Sequence, residues 1–438
     1  MRHRFENANR AEYGERFDLI RFASDDEAAA FEKRRAELLE RLDGLAQWGF
    51  GGTKADCGNL SQGCRMCGAG LWSCLFINGE CNCRCFYCPA PQDEKCLPTT
   101  NTVTFEKPAD YVAYLREFGF KGVSMSGGEP LLTPELTLSF IKAVRDAFPD
   151  MYIWMYTNGS LVTPEIMEKL RDAGLNEVRF DIGAISYSLE KIRIAAGVIP
   201  VVTVEIPAIP EELELLMELA PLLAEAGVNH LNLHQLRLTP YNFDNLIKRG
   251  YTYLSGEKVT VVESELTALE LMLYTLENGI NLPVNYCSFP YKNRYQGLAA
   301  RKRSGAYMVK SFETITDSGY IRLLSAAGDE DKIKSVADGA DKSLYEMSRD
   351  KRRISLHPSL LEKADGLELT VSYFAAKQMQ SMSYRNPFRK IDLTPSKSMI
   401  IERYKAADDI TFTYSAGMEM PPETLPFESV EEGLLSYF

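Results

Sequence analysis

Most of the ten cysteines in this 438-residue chain lie between positions 57 and 88. Three of them, Cys81, Cys85 and Cys88, have the spacing CxxxCxxC and follow the apolar run 75–77. Three thiolates on one short loop after a strand can hold three irons of a cubane 4Fe–4S cluster. Because this spacing supplies no fourth ligand, one iron would be open to a small molecule. An open iron is typical of a catalytic cluster rather than of one that only carries electrons.

A second group of cysteines lies just before this loop. Its spacing is Cx6Cx2Cx6C, and four thiolates so placed could hold a mononuclear iron or zinc ion or a second cluster. The alternative is that they are small core residues, as free cysteines often are. Either Cys83 or Cys96 could replace the last of them as a ligand. The predicted ligands of this auxiliary metal are Cys57, Cys64, Cys67 and Cys74.

Strands that alternate with helices would position these cysteines. Apolar runs of strand length alternate with helix-like segments of about ten residues or more, which predicts a parallel sheet with right-handed crossovers. Six such units predict a partial (βα)6 barrel in an α/β fold, and a seventh run at 282–286 follows a helix at 263–277. The predicted strands are 71–77, 122–125, 152–156, 177–182, 201–206 and 231–236, and the helices are 109–118, 134–147, 164–173, 189–196 and 211–226.

The chain is long enough for a barrel with additions at both ends. We expect a helical N-terminal extension at 1–56, with a helix at 25–45. The cysteine-rich segment and the barrel would occupy 57–300. The pattern breaks after about residue 301 into mixed helix and strand signals, so an α+β C-terminal region is predicted at 301–438.

Several of the predicted strands carry polar side chains on one face. Side chains alternate along a strand, so Arg179 and Asp181 share a face, and so do His230 and His234. The apolar faces would pack on the outer helices, and the polar faces would line the barrel interior. A barrel that holds a polar ligand needs such a lining. The alternative is that these side chains pair with one another as a buried network.

Three motifs resemble those of the radical S-adenosylmethionine enzymes, or radical SAM enzymes, where SAM is S-adenosylmethionine. The first is the Cys81, Cys85, Cys88 loop after the first strand, with Tyr87 before its last cysteine. The second is SGGEP at 126–130, after the second strand, and the third is TNG at 157–159, after the third. In this order and spacing they are specific. The resemblance covers about residues 71 to 240 and implies a radical SAM-type barrel.

The resemblance also implies the cofactors and their contacts. SAM would chelate the open iron through its methionine amino and carboxylate groups, and the glycine-rich turn would contact the amino group. A reduced cluster would then break a carbon–sulfur bond of SAM and form a 5′-deoxyadenosyl radical, which takes a hydrogen atom from the substrate. The predicted cofactor-binding residues are Tyr87, Gly127, Gly128, Glu129, Asn158, Asp181 and Glu205.

Cys287 ends the seventh predicted strand, at a position where barrel enzymes place functional groups. It is our candidate catalytic residue, since it could donate a hydrogen atom, carry a covalent intermediate or ligate an extra iron. A semi-buried thiol is the alternative. His230 and His234 could contact substrate or carry protons, or could be buried histidines. Three nearby residues could meet an anionic substrate group, namely Lys292, Arg294 and Tyr295.

Composition limits the compartment and the partners. The net charge of −12 disfavours nucleic acid as a partner, and no apolar run is long enough to span a membrane. The N-terminus also lacks the apolar core of a signal peptide. We therefore expect a cytoplasmic protein, in which clustered cysteines bind metal rather than form disulfides. The expected partners are SAM, an electron donor such as flavodoxin or ferredoxin, and the substrate.

The sequence predicts a radical SAM enzyme that abstracts hydrogen from its substrate. A peptide or protein is slightly favoured over a small metabolite as that substrate, because the long C-terminal region could dock one. A radical SAM methyltransferase that uses Cys287 is the alternative enzyme. In a different class, the cysteines could form a zinc ribbon in a metal-stabilised, non-catalytic binding protein. That reading leaves the 126–130 motif without a role.

Overall fold

A computed structural model describes residues 2–437 of the chain and the side chains of residues 5–437. The chain divides into two compact units. The first contains residues 1–100, 104–296 and 432–438, and the second contains residues 101–103 and 297–431.

The first unit contains eleven of the described helices, and its strands include those of a parallel sheet. The helices are α1 (Arg2–Tyr13), α2 (Asp25–Leu42), α3 (Gln62–Gly68), α4 (Pro108–Glu117), α5 (Pro134–Ala147), α6 (Pro164–Asp172), α7 (Glu190–Ala196), α8 (Leu213–Glu225), α9 (Phe243–Ile247), α10 (Val262–Glu277) and α11 (Phe289–Tyr291). The strands up to residue 287 are β1 (Gln47–Gly49), β2 (Lys54–Cys57), β3 (Trp72–Glu80), β4 (Asp93–Glu94), β5 (Thr99–Thr100), β6 (Val103–Thr104), β7 (Gly122–Gly127), β8 (Tyr152–Thr157), β9 (Glu177–Phe180), β10 (Val201–Pro207), β11 (His230–His234), β12 (Tyr253–Leu254), β13 (Thr260–Val261) and β14 (Val284–Cys287).

Seven parallel strands form the centre of the first unit, in the order β3-β7-β8-β9-β10-β11-β14. This confirms the predicted parallel α/β fold, and the run at 282–286 supplies its seventh strand. The sequence did not indicate how the sheet ends. Beyond β14 the sheet continues with β2 and β1, both antiparallel to their neighbours, although these two strands precede β3 in the chain.

Alternation along the strands separates an apolar outer face from a polar inner face. Val178 and Phe180 on β9, and Leu231 and Leu233 on β11, are completely buried. Helices cover this face because the crossovers between parallel strands place them there. The polar side chains of the same strands face the interior of the barrel, as predicted.

The N-terminal helix α2 packs on this unit. It begins at a capping box in which Ser24 accepts from the Glu27 amide and the Glu27 carboxylate accepts from the Ser24 amide. Its buried Arg35 lies 3.1 Å from the Glu265 carboxylate of α10 and donates to the Leu435 carbonyl at 2.8 Å. Both ends of the chain therefore contribute to the first unit.

The second unit is an antiparallel sheet with short helices. Its central sheet has the order β17-β18-β16-β19-β21-β20, and β15 and β22 pair with β16 and β19. The helices are α12 (Gly297–Gly305), α13 (Glu330–Ala337) and α14 (Leu425–Glu428), and the strands are β15 (Thr314–Ile315), β16 (Ile321–Ala327), β17 (Tyr345–Met347), β18 (Arg353–Leu356), β19 (Glu368–Met379), β20 (Phe388–Thr394), β21 (Lys397–Lys405) and β22 (Ile410–Thr413).

Within the described residues, the longest apolar helical stretch falls short of what is needed to cross a membrane.

Candidate cofactor cavity and adjoining thiol cavity

A cavity of about 280 Å³ lies at the carboxyl ends of the parallel strands. Barrel and open α/β enzymes bind their ligands at this edge. All three cysteines of the CxxxCxxC loop line it. So do six of the seven predicted cofactor-binding residues, namely Tyr87, Gly127, Gly128, Asn158, Asp181 and Glu205. The seventh, Glu129, is not on its wall.

The loop directs three of its four cysteines to the cavity. Its backbone is fixed by hydrogen bonds from the Cys81 amide to the Gln92 carbonyl (2.9 Å) and from the Cys88 amide to the Cys85 carbonyl (3.1 Å). The Cys83 thiol instead lies 3.7 Å from the Ala184 carbonyl and does not line the cavity. Burial raises the pKa of the Cys85 thiol to about 12. A bound cation is what would deprotonate such a thiol, so the loop suits an iron cluster.

Gly127 and Gly128 are required by the chain's own packing. A Cβ atom on Gly128 would lie 1.9 Å from the Glu80 carbonyl oxygen, and one on Gly127 would lie 2.2 Å from the Asn78 carbonyl oxygen. Gly127 also has φ = +127°, a conformation that L side chains rarely adopt. The turn therefore fits tightly under the end of β3, one residue before Cys81, and so sets the position of the cysteine loop.

Glu129 holds this edge of the sheet together. It is completely buried, and its carboxylate accepts hydrogen bonds from the Leu131 amide (2.9 Å), the Thr157 hydroxyl (2.9 Å) and the Asn158 amide (2.7 Å). A contact between this carboxylate and the cofactor amino group stays a prediction, because Glu129 is completely buried and does not line the cavity. Burial raises its pKa, and the three donors oppose that shift.

Tyr87 and Asp181 meet at the cavity wall. The Tyr87 hydroxyl donates to the Asp181 carboxylate at 2.7 Å. Burial raises the pKa of Asp181 to about 6, although the Tyr87 hydrogen bond and His234 oppose the shift. This pair joins the cysteine loop to the end of β9.

The inward polar side chains pair with one another and also line the cavity. Arg179 contacts Glu177 at 2.8 Å and Glu205 at 2.6 Å, and it is 3% exposed. Glu205 in turn accepts from Asn232 at 2.9 Å and lies 2.7 Å from His234 Nε2. Burial would raise the pKa of Glu205, but Arg179 and His234 hold it well below its usual range. The side chains that line the cavity are therefore the same ones that form the buried network. The two arrangements predicted as alternatives are both present.

A second cavity of about 170 Å³ adjoins the first, because Tyr156, Arg179, Glu205 and His234 line both. Three thiols line the second cavity, and so does one of the three residues predicted to meet an anion, Lys292. The thiols are Cys64 and Cys67, both on α3, and Cys287, at the end of β14.

Lys54 is the partner of Cys287. The strands β2 and β14 pair so that these residues lie side by side. The Lys54 ammonium is 2.6 Å from the Cys287 sulfur and 2.6 Å from Asn285 Oδ1, and the residue is 2% exposed. Burial would raise the pKa of the Cys287 thiol, but Lys54, His234 and Lys292 outweigh it and lower the pKa to about 6.

The other two cysteines of the predicted auxiliary set lie outside this cavity. Cys57 pairs with Val284 in the register that pairs Lys54 with Cys287. Cys57 follows Lys54 by three residues on the same strand, and side chains an odd number of residues apart point to opposite faces of a sheet. Burial raises its pKa to about 12. Cys74 faces inward on β3, but it is not on the wall of either cavity. The metal-binding role of this four-cysteine set stays a prediction.

The remaining predicted residues are two histidines, an arginine and a tyrosine. His234 lines both cavities, whereas His230 lies 3.2 Å from the Asn59 carbonyl and lines neither. Arg294 pairs with Glu257 at 2.9 Å, and the Tyr295 ring packs against Phe50 at a centroid distance of 5.7 Å.

Sequence reasoning missed several residues of the second cavity, among them Lys54, Tyr291 and Gln296. Lys54 is the first residue of the short strand β2, which carried no recognisable strand pattern. Gln296 lies in a π-helical turn, Lys292–Gln296, and such turns are frequent at functional sites. The only feature of the sequence that could have indicated Gln296 was its proximity to Cys287 along the chain.

Parts of the chain are similar to known proteins. Residues 75–220 match the model of the radical SAM superfamily. A putative glycyl-radical enzyme activating enzyme of Methanocaldococcus jannaschii, MJ0021, is 28% identical over 316 residues, which cover 69% of this chain and 83% of that protein. A GTP 3′,8-cyclase of Sulfurovum sp. is 32% identical over 109 residues, 25% of this chain and 33% of that protein.

A crystal structure of Streptococcus suis SuiB bound to S-adenosylmethionine has 13% sequence identity, a TM-score of 0.40, and coverage of 68% of this chain and 67% of that one. Residues 75–220 of the chain are therefore a radical SAM superfamily domain, and members of that superfamily use a 4Fe–4S cluster and SAM. The curated relatives that match the chain are enzymes, and they do not assign it to a subfamily.

The lowered pKa of Cys287 gives a testable pH dependence. In chelator-treated, metal-free protein, we expect the rate of Cys287 alkylation by iodoacetamide to rise through a midpoint near pH 6, because the thiolate is the nucleophile. The Lys54→Met variant should shift that midpoint upward, since it removes the adjacent ammonium. Peptide mapping provides an internal control in Cys57, which should stay unmodified. A wild-type midpoint above about pH 8.5, the value for a free thiol, would contradict the expectation.

Proposed function

We propose that this enzyme cleaves SAM reductively at a 4Fe–4S cluster and removes a hydrogen atom from a peptide or protein substrate. One observation carries the proposal. Cys81, Cys85 and Cys88 line a single cavity together with the glycine turn and polar strand ends, while Cys83 on the same loop does not. Three thiols and one open side are what a SAM-binding cluster needs.

The chain's residues would bind, orient and shield the reactants. When bound and reduced, the cluster supplies the electron that breaks a carbon–sulfur bond of SAM and yields the 5′-deoxyadenosyl radical. The three cysteines would hold the irons, and the turn at Gly127 and Gly128 forms the adjoining wall. Asp181 and Asn158 offer oxygen and amide groups at the strand ends to a polar ligand. The surrounding barrel wall limits access of water, which would quench a radical.

The relative from Methanocaldococcus jannaschii supports a protein substrate. Its name describes an enzyme that activates another enzyme, and the match extends over 83% of its length. The second cavity adjoins the cofactor cavity and shares four wall residues with it, so a group held there would lie beside the SAM site. Lys292 and His234 would meet a polar or anionic group there.

Formation of 5′-deoxyadenosine tests the proposal. The protein is reconstituted anaerobically with iron and sulfide, supplied with SAM and dithionite, and assayed by mass spectrometry. We expect 5′-deoxyadenosine from the wild type and none from the Cys81→Ala, Cys85→Ala, Cys88→Ala variant. Cys83→Ala is the matched control and should keep the activity, because its thiol lies off the cavity wall. A cluster-loaded wild type that forms no 5′-deoxyadenosine in the presence of cell peptides would refute the proposal.

A radical SAM methyltransferase is the second candidate function. Its two-cysteine form needs Cys287 and a second thiol in the same barrel mouth, and Cys64 and Cys67 meet that requirement. Formation of S-adenosylhomocysteine beside 5′-deoxyadenosine would favour this function over hydrogen abstraction alone.

A further inference from the structure

Three thiols from two distant parts of the sequence converge on the second cavity. Cys64 and Cys67 lie on α3, whereas Cys287 lies much later in the chain, at the end of β14. Cys64 and Cys287 are buried and Cys67 is partly buried, and all three are free thiols. Buried thiols on a cavity wall need a reason to be there, since the cavity is otherwise lined by polar and aromatic side chains.

Each of these sulfurs has a nitrogen donor directed at it. Asn232 Nδ2 lies 3.3 Å from the Cys64 sulfur, Gln296 Nε2 lies 2.6 Å from the Cys67 sulfur, and Lys54 Nζ lies 2.6 Å from the Cys287 sulfur. Hydrogen bonds to cysteine sulfurs are one of the means by which proteins tune iron–sulfur clusters. A neutral thiol is a weak acceptor, so three such donors suit thiolates.

The charge at the site also suits thiolates. Lys54 is almost completely buried, and among the described residues the hydrogen-bond partners of its ammonium are the Cys287 sulfur and the Asn285 amide oxygen, with no carboxylate in contact. A buried ammonium is costly unless it is paired, and the Cys287 sulfur is the group in contact that can carry the opposite charge. Metal binding by this sulfur as a thiolate is compatible with the adjacent ammonium.

A cluster and a single ion place different geometric demands on their cysteine ligands. Among residues 5–437, no three His, Cys, Asp or Glu side chains are placed to hold one metal ion. This is also true of Cys81, Cys85 and Cys88, which are predicted to bind a cubane cluster rather than a single ion. Each cysteine of a cubane binds a different iron, so its ligands need not surround one point. The ligands of a tetrahedral zinc ion must do so.

We propose that Cys64, Cys67 and Cys287 bind a second iron–sulfur cluster in the cavity that adjoins the cofactor cavity. The three thiols lose their protons on binding, and one iron is left without a cysteine ligand. His234 and Lys292 also line this cavity and would be the polar groups beside the cluster. The ligand set proposed here keeps two of the four cysteines predicted from the sequence, Cys64 and Cys67. Cys287 takes the place of the other two, Cys57 and Cys74.

A metal count in a variant without the first cluster tests this inference. The Cys81→Ala, Cys85→Ala, Cys88→Ala protein is reconstituted anaerobically, and iron and acid-labile sulfide are measured with a Mössbauer spectrum. We expect about four irons and four sulfides per chain, as for one cubane. Adding Cys287→Ser or Cys64→Ser to this variant should remove most of that iron.

The matched controls are Cys57→Ser and Cys74→Ser in the same background, which should keep the iron. No protein-bound iron in the three-alanine variant, or one zinc ion without sulfide, would overturn the inference. Iron loss with Cys57→Ser or Cys74→Ser but not with Cys287→Ser would overturn it too. If circular dichroism shows that a serine variant does not fold, the iron content of the reconstituted wild-type protein is measured instead. We expect about eight irons per chain for two cubanes, against about four for a single cubane. These counts need no SAM cleavage, so they are independent of the proposed activity.

Discussion

The Gly128→Ala variant should lose at least about 100-fold of the rate of 5′-deoxyadenosine formation, together with much of its cluster iron. The added Cβ would lie 1.9 Å from the Glu80 carbonyl oxygen and 2.3 Å from its carbonyl carbon. Both are backbone atoms, so no side-chain rotation relieves the clash. The Glu129 amide also donates to this Glu80 carbonyl at 2.7 Å, and Glu80 directly precedes Cys81. Any shift therefore moves the first cysteine of the loop.

Gly197→Ala is the control for this experiment. Gly197 has an ordinary negative φ and no neighbouring atom within 4 Å of the added Cβ, so activity and iron content should be unchanged. Iron and 5′-deoxyadenosine are measured on both variants after identical reconstitution. A Gly128→Ala protein with wild-type iron and rate would show that the turn does not position the loop.

Replacing Arg179 by methionine should destabilise the first unit by about 3 to 5 kcal/mol, the usual cost of removing one partner of a buried ion pair. Arg179 is 3% exposed and contacts Glu177, which is completely buried, and Glu205, which is 8% exposed. Without the guanidinium, two carboxylates in the barrel interior lose their cation.

Tryptophan fluorescence during urea unfolding measures this effect on the right part of the molecule. All three tryptophans, Trp48, Trp72 and Trp154, belong to the first unit. Arg171→Met is the control, because Arg171 pairs with Asp172 on the surface and its loss should cost no more than about 1 kcal/mol. If the two variants unfold at the same urea concentration, the buried network is not a stabilising element.

The sequence was most informative where chemistry depends on neighbours along the chain. The CxxxCxxC spacing placed three thiols on one loop, and strand alternation placed Arg179 and Glu205 on the inner face. Both are local properties of the chain. The ligand contact of Gly128 stays a prediction. The close approach that the structure shows is to Glu80, which is distant in the sequence and becomes a neighbour only when β3 and β7 pair.

The thiol cavity shows why the rest could not be predicted. Spacing grouped Cys57 with Cys64 and Cys67, whereas folding groups Cys287 with them. The difference depends on β2, a short strand whose pairing with β14 turns Lys54 inward and Cys57 outward. So short a strand has no periodicity to recognise, and its partner lies in a distant part of the chain. Long-range pairing of this kind is set by tertiary packing rather than by local propensity.

The position of β2 in the sheet also has a consequence for synthesis on the ribosome. Lys54 and Cys57 are made early, but the strand that joins theirs to the parallel sheet is β14, which is complete only at Cys287. At about 5 to 20 residues per second, synthesis of the intervening chain takes roughly 10 to 50 seconds. During this time the nascent chain carries Cys64 and Cys67 without the residue that completes their cavity, and its thiols are open to oxidation. A reducing environment would keep these thiols free until β14 is complete.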